Sequence, residues 1–302
     1  MTDGSIAFSW NLITDLRTML EFTFMQNAYE AGTVIALVAG IIGYFVIIRR
    51  SAFATHAIGH VGFSGAAGAV LIGVNPVYGL LLFTTSGASG MALLGRRAAT
   101  RDVEIGTVLA FMLGVGLLFL SLYNGYATEA YSILFGEILG ISSAEVGFTV
   151  ETSIVVLAVI ALLYRRLLFA SLDEDVAEAK GMPMLALNLT FMILLAVAIS
   201  IAVQIVGVLL IFALMVTPAA IAVRLTKRPA YAILVSVLVA LFATWVGLFI
   251  QFFVPYPASF FIVTIAFAMY VVVRAGQAIL ARMVRRSAPS PGPESYAGPG
   301  TT

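Results

Sequence analysis

The chain has 302 residues, enough for two soluble domains. Its 61% hydrophobic and 10% charged residues, and a mean hydropathy of +1.07, exclude that reading, because a water-facing surface needs more charge (roughly 25% in soluble chains). A net charge of +1 leaves no basic excess for nucleic acid, and the absence of cysteine excludes disulfides, thiolate metal sites and redox-active thiols.

The composition is that of a polytopic membrane protein, so the elements are read as crossings of about 20 apolar residues each. No basic stretch leads into a short apolar core and cleavage site, so no removable signal peptide is expected. Residues 6–30 mix apolar and acidic positions, and the first 30 residues read as an interfacial segment outside the cytoplasm. Candidate spans follow at 31–48, 56–73, 77–94, 105–122, 147–164, 187–205, 208–224, 231–252 and 257–273. The apolar run from Leu185 to Leu225 is too long for one crossing and divides near Gly207. The stretch 53–73 is rich in Gly and Ala, which suits a helix packed against protein better than one facing lipid. The membrane domain is thus expected over 31–275, with a cytoplasmic loop at 171–183 inside it. From Ser287 the chain is rich in Pro, Gly and Ser, and 287–302 is expected to be a disordered cytoplasmic tail.

The basic residues test this division. Arg49 and Arg50, then Arg96, Arg97 and Arg101, then Arg165, Arg166 and Lys180 follow the odd-numbered spans. So do Arg224, Lys227 and Arg228, and finally Arg274, Arg282, Arg285 and Arg286. With nine spans all of these fall on one side, which the positive-inside rule makes the cytoplasm; only Arg17 falls on the other. An odd count places the N-terminus outside and the C-terminus inside.

What is missing narrows the function. No Gly-Lys pair occurs, so there is no phosphate-binding loop of the Walker type, and no catalytic triad or carboxylate pair is visible. The chain is not expected to be an enzyme; energy must come from another subunit or from an ion gradient. With two His and no Cys, a closed four-ligand zinc site of those residues is impossible in one chain.

Three stretches carry chemistry. In the first, His56 and His60 are four apart, which stacks two imidazoles on one helix face, and Ser64 continues the stripe. Imidazole suits zinc and other late first-row metals. The alternative is a pair of interfacial histidines bonded to neighbouring backbone. Gly59, Gly62 and Gly65 form a small-residue face, which reads as helix packing. The second stretch, Leu172 to Pro183, is acidic: Asp173, Glu174 and Asp175 surround a short surface helix containing Ala177 and bounded by Gly181. Acids there run against the basic bias of that side, so the loop reads either as a docking element or as a solvated connector. In the third, Pro218 interrupts a span, and Gln204 and Thr217 are placed to satisfy freed backbone groups or line a path. Glu137, between the fourth and fifth spans, faces either an entry vestibule or water.

Together these stretches resemble the permease subunits of the zinc/manganese/iron ABC importers. Four landmarks in order carry the resemblance across roughly residues 20–275. They are the histidine element ending in Asn75-Pro76, Leu134-Phe-Gly-Glu-Ile-Leu-Gly, the Asp173–Gly181 loop, and Val206-Gly-Val-Leu-Leu through Pro218-Ala-Ala. The resemblance implies an all-α fold of about nine transmembrane helices, similar to the vitamin B12 and iron-siderophore importers. It implies a homodimer in a bacterial plasma membrane, two ATP-binding subunits at the cytoplasmic face and an extracytoplasmic metal-binding protein. ATP would sit on the partner subunits, this chain would bind no cofactor, and the Asp173–Gly181 loop would be the coupling helix. Family members commonly have Asp-x-x-x-His where this chain has His56-x-x-x-His60. That exchange removes a hard oxygen donor and points to zinc rather than manganese or iron as the transported ion. Two other classes are open: an ion-gradient-driven carrier, against which the scarcity of membrane acids counts, and a siderophore permease, against which the chain length and the His pair count.

Overall fold

The computed structural model describes residues 12–93, 98–123, 136 and 138–287. Glu137, Arg96 and Arg97 lie outside the described residues, as does the expected tail beyond Ser287. All regular structure among the described residues is helical. In chain order the helices are α1 (Leu12–Leu20), α2 (Thr23–Ile48), α3 (Ala52–Leu71), α4 (Pro76–Leu93) and α5 (Ala98–Leu122). Then come α6 (Ser143–Leu172), α7 (Glu174–Ala179), α8 (Met184–Leu225), α9 (Pro229–Phe253) and α10 (Ala258–Ser287). Six of them are long and apolar enough to cross a membrane by themselves: α2, α5, α6, α8, α9 and α10. α3 and α4, of 20 and 18 residues, are long enough but diluted by Gly, Ser, Thr and His.

α8 is two crossings. Its 42 residues would reach about 63 Å as one straight helix, twice a hydrocarbon core. Gly207 breaks it with φ 79° and ψ 163°. Ala198 and Met215 would then be about 25 Å apart in an unbroken helix. Instead Ala198, Ala202, Ile211 and Met215 line one small cavity with Ile35 and Val156, so the chain folds back at Gly207. Counting 184–206 and 208–225 separately gives nine segments of crossing length among the described residues, as the sequence division expects. The edges differ: α2 begins at Thr23 and α6 runs for 30 residues, because both helices continue past their most apolar stretch.

Apart from Arg17 on α1, the described basic residues gather at one end of this bundle. Arg49, Arg50 and Asp173 line one cleft there, and Arg224 is bonded to Tyr270 on α10. The α8 hairpin is the most buried element and sits between α2, α3, α4 and α9. α5 and α10 have mostly exposed faces.

Helix ends are closed by local bonds. α6 opens with a capping box, in which the Glu145 carboxylate accepts from the Ser142 N–H at 2.9 Å and Glu145 N donates to Ser142 Oγ. α2, α3 and α7 each end in the same paired backbone turn. In α2 the N–H of Ser51 donates to Val46 and that of Arg50 to Ile47. The left-handed position of that turn holds Gly73 after α3 and Gly181 after α7, but Arg50 (φ 52°) after α2.

α3 and α4 meet backbone to backbone. A Cβ on Gly65 would lie 2.2 Å from the Gly79 carbonyl oxygen, and one on Gly79 would lie 2.1 Å from that of Gly65. Nothing flexible is present to give way, so the helices must separate to admit a methyl group. Gly65→Ala or Gly79→Ala is therefore expected to destabilise the protein by about 1–3 kcal/mol, read as a lower thermal midpoint in detergent. Gly90→Ala, also on α4 but with open space around its Cβ, is the matched control and should leave the midpoint in place.

Candidate functional site

α3 is helical because its Ala and Gly residues are accepted where neighbours press from three sides, not because its propensity is high. Gly59 lies against Val208, and Gly62 and Gly65 lie against α4. Their stripe leaves His56 and His60 on another face, about 6 and 12 Å along the helix from Ala52.

The two imidazoles are side by side. Their ring centroids are 4.6 Å apart and their planes nearly perpendicular, and the His56 ring also meets Phe212 edge-on at 4.9 Å. Both residues are half-buried. The Nδ1 atom of each is buried without a hydrogen-bond partner. The bland expectation, histidines satisfied by neighbouring backbone, therefore does not describe the Nδ1 atoms. A buried polar atom without a partner is costly, so neither Nδ1 is committed to a bond within the bundle. Among the described residues no third His, Asp or Glu joins the pair to make a ligand cluster.

The other candidate residues are distributed differently. Ser64 is fully buried, and its hydroxyl lies against the carbonyls of His60 and Met112, so it ties α3 to α5. Gln204 sits near the fold-back of α8 and donates its amide to the Glu145 carboxylate at 3.3 Å. It thus joins the hairpin apex to the capping box of α6, at the end opposite the basic residues. Thr217 is half-buried, but five residues beyond Phe212 it points away from the histidines, some 140° round the helix. Pro218 is buried inside the second half of α8 and withholds an N–H from Leu214. The structure brings together His56, His60 and Phe212, and leaves Ser64, Gln204 and Thr217 in separate settings.

The acidic stretch forms the short helix α7, exposed at the basic end. Asp173 caps it, its carboxylate accepting the Val176 N–H at 3.0 Å. Gly181 stops it in the left-handed conformation. Glu174, Asp175 and Lys180 face outward, while Ala177 is completely buried and anchors the helix to the bundle. The Lys180 ammonium lies 5.0 Å from the Phe169 ring. Beside α7 opens a cleft of about 840 Å³ lined by Arg49, Arg50, Asp102 and Asp173 to Asp175. Sequence reasoning missed Arg49 as more than a topogenic charge. Its guanidinium donates to Ser171 and Asn188 and lies over Phe191, partners that no local motif reveals.

The chain matches the family model described as the ABC 3 transport family over residues 21–277. It belongs to the ABC 3 transport family. The match begins before α2 and ends within α10, so it reaches every described crossing. Members are membrane subunits, and ATP hydrolysis belongs to separate subunits, in keeping with the missing phosphate loop. Among curated relatives, the chain is 29% identical over 238 residues to the manganese transport system membrane protein MntC of Listeria monocytogenes, covering 78% of this chain and 85% of that one. It is 32% identical over 233 residues to the manganese import system permease protein ScaB of Streptococcus gordonii, covering 77% and 84%. Among solved structures, PsaBC from Streptococcus pneumoniae in complex with Fab superposes with a TM-score of 0.78 at 28% identity, over 86% of this chain and 94% of that one. A metal-chelate type ABC transporter in an inward-facing conformation shares the fold, with a TM-score of 0.67 at 17% identity over 89% and 92%.

The α7 cap gives a local prediction. Asp173→Ala removes the acceptor for Val176 N–H and should cost about 1 kcal/mol of helix stability, whereas Asp173→Asn keeps it. Amide hydrogen exchange over 174–179 is expected to speed up several-fold in the first variant only; equal exchange in both would show that the helix is held by Ala177 alone.

Proposed function

We propose that this chain is the permease of an ATP-driven importer of divalent transition-metal ions, working as a homodimer by alternating access. The observation that carries the proposal is the His56–His60 pair, with two buried Nδ1 atoms lacking partners in a helix of an ABC 3 family member. Neutral imidazoles offer lone pairs to a cation without adding negative charge, so an ion passing them is held but not trapped. A second copy of the chain would double the donors to four, the number a tetrahedral ion prefers. The names of the manganese-associated relatives support the substrate class.

The orientation follows from charge. The end bearing Arg49, Arg50, Lys180 and Arg224 faces the cytoplasm of a bacterial plasma membrane, the N-terminus lies outside and the C-terminus inside. α1 is then at the outer interface. The permease domain begins with α2 at Thr23 and not at 31, because that helix is already buried from Met25, and runs to 275; 171–183 is the coupling element. In that frame α7, with Asp173, Glu174 and Asp175 outward and Ala177 inward, is the contact of each copy of the chain with one of two separate ATPase subunits. An extracytoplasmic binding protein delivers the ion at the other end, near the Glu145–Gln204 contact.

Zinc is the ion the donors favour, because His56 supplies nitrogen where relatives commonly supply a carboxylate. Manganese is the second reading, favoured by the names of MntC and ScaB. Uptake of zinc, manganese and iron in competition separates them, in cells expressing this chain with its ATPase and binding protein. His56→Ala and His60→Ala are each expected to lower zinc uptake at least tenfold at equal membrane abundance. His56→Asp is expected to shift preference toward manganese. Unchanged zinc uptake in both alanine variants would make the pair structural and move selectivity to the delivery protein.

A further inference from the structure

Arg49 stands where four helix ends meet. It follows the last residue of α2, and its own N–H donates back to Phe45. Its two terminal nitrogens reach two other helices: Nη1 donates to Ser171 Oγ at 3.3 Å and Nη2 to Asn188 Oδ1 at 3.2 Å. The guanidinium carbon lies 5.0 Å from the centre of the Phe191 ring. Asn188 passes the connection on, donating its amide to the Ala92 carbonyl in the last turn of α4 at 3.3 Å. One planar fork therefore holds the ends of α2 and α6 and the start of α8, and through Asn188 the end of α4.

Both sides of this joint are stiff. On one side Ser171 is two residues before Asp173, which ends α6 and caps α7, so α7 cannot shift without Ser171. On the other side the turn 49–51 is closed by the paired backbone bonds and by Ser51 Oγ donating to the Arg49 carbonyl at 3.2 Å. Thr55 Oγ1 then donates to the Ser51 carbonyl at 3.0 Å, one residue before His56. α3 starts at Ala52 with no slack between it and the guanidinium. The left-handed Arg50, a conformation that disfavours side chains, is what keeps that turn so short.

We infer that Arg49 is the positioning residue that transmits movement of the α6–α7 end to α3, and so sets when the histidine helix moves. The inference rests on α7 being the element that the ATPase subunits move. A lysine keeps the charge but loses the two-pronged reach, so it should restore the link only in part.

The test uses the complete transporter in proteoliposomes, with zinc as the probe, and compares zinc moved per ATP hydrolysed. Arg49→Ala is expected to lower that ratio at least tenfold while the assembled complex hydrolyses ATP within about twofold of wild type. Arg49→Lys is expected to fall between the two. The chain has no cysteine, so single labels can be placed without prior substitution. A spin label at Glu178→Cys on α7 should respond to ATP with and without Arg49, and one at Phe53→Cys on α3 should respond only with it. An unchanged zinc-to-ATP ratio in Arg49→Ala overturns the inference. So does a parallel fall of assembly, hydrolysis and transport, which would make Arg49 a stabilising contact alone. If the wild-type complex moves no metal, the importer reading fails, and the labels still decide: an α3 response indifferent to Arg49 overturns the link.

Discussion

A helix too long for one crossing must turn back, and the architecture is arranged around the one residue where it does. At Gly207 the longest helix reverses, and the reversal is covered by protein. Gly136, itself in the left-handed region, lies so close that a Cβ there would fall 2.4 Å from the Val206 carbonyl carbon. The fold-back places the two halves of α8 side by side in the interior. α2, α3, α4 and α9 then have one common surface to pack on, and Val208 and Phe212 on the descending half meet Gly59 and His56. The histidines have their position because the hairpin has its position.

The two ends of the bundle are organised on different physical terms. At one end Gln204, Glu145 and Ser142 make a small polar chain that fixes the hairpin apex to a helix start. At the other, a single guanidinium gathers four helix ends, and an acidic helix stands exposed beside a wide cleft. Between them the interior is apolar except for short hydroxyl contacts, such as Thr84 with Ser200 at 2.6 Å. A hydroxyl pair of this kind ties two helices without placing a charge in the membrane, which leaves the histidines as the ionisable groups of α3.

Much of this is legible in the sequence, for identifiable reasons. Spans announce themselves by composition, and the basic clusters fix their parity. Length alone divides 185–225, with glycine marking where. The acids and the boundary at Gly181 are local signals, so a short helix within 171–183 is readable, while its cap at Asp173 comes from the structure. His56 and His60 share a face by spacing alone. What spacing does not carry is which neighbour arrives. Ser64 continues the histidine stripe, yet its hydroxyl is used against Met112. Thr217 neighbours a proline yet turns away from the pair, and Gln204 is spent on a carboxylate from a distant helix. Arg49 reads as a topological marker until Ser171 and Asn188 are seen beside it. Each of these depends on contacts between residues far apart in the chain.

The contact between α3 and α4 has a consequence for biogenesis. The two helices are consecutive in the chain and meet backbone to backbone at Gly65 and Gly79. That contact lets the two assemble as a closed helical hairpin, with Ser64 and Thr84 still to meet α5 and α8. The partner that later covers them, α8, is synthesised only after α5, α6 and α7. During that interval the histidine helix rests in a half-built bundle, so maturation of the ion path is tied to the order of translation, and a residue that loosens the α3–α4 hairpin acts first on insertion and only then on transport.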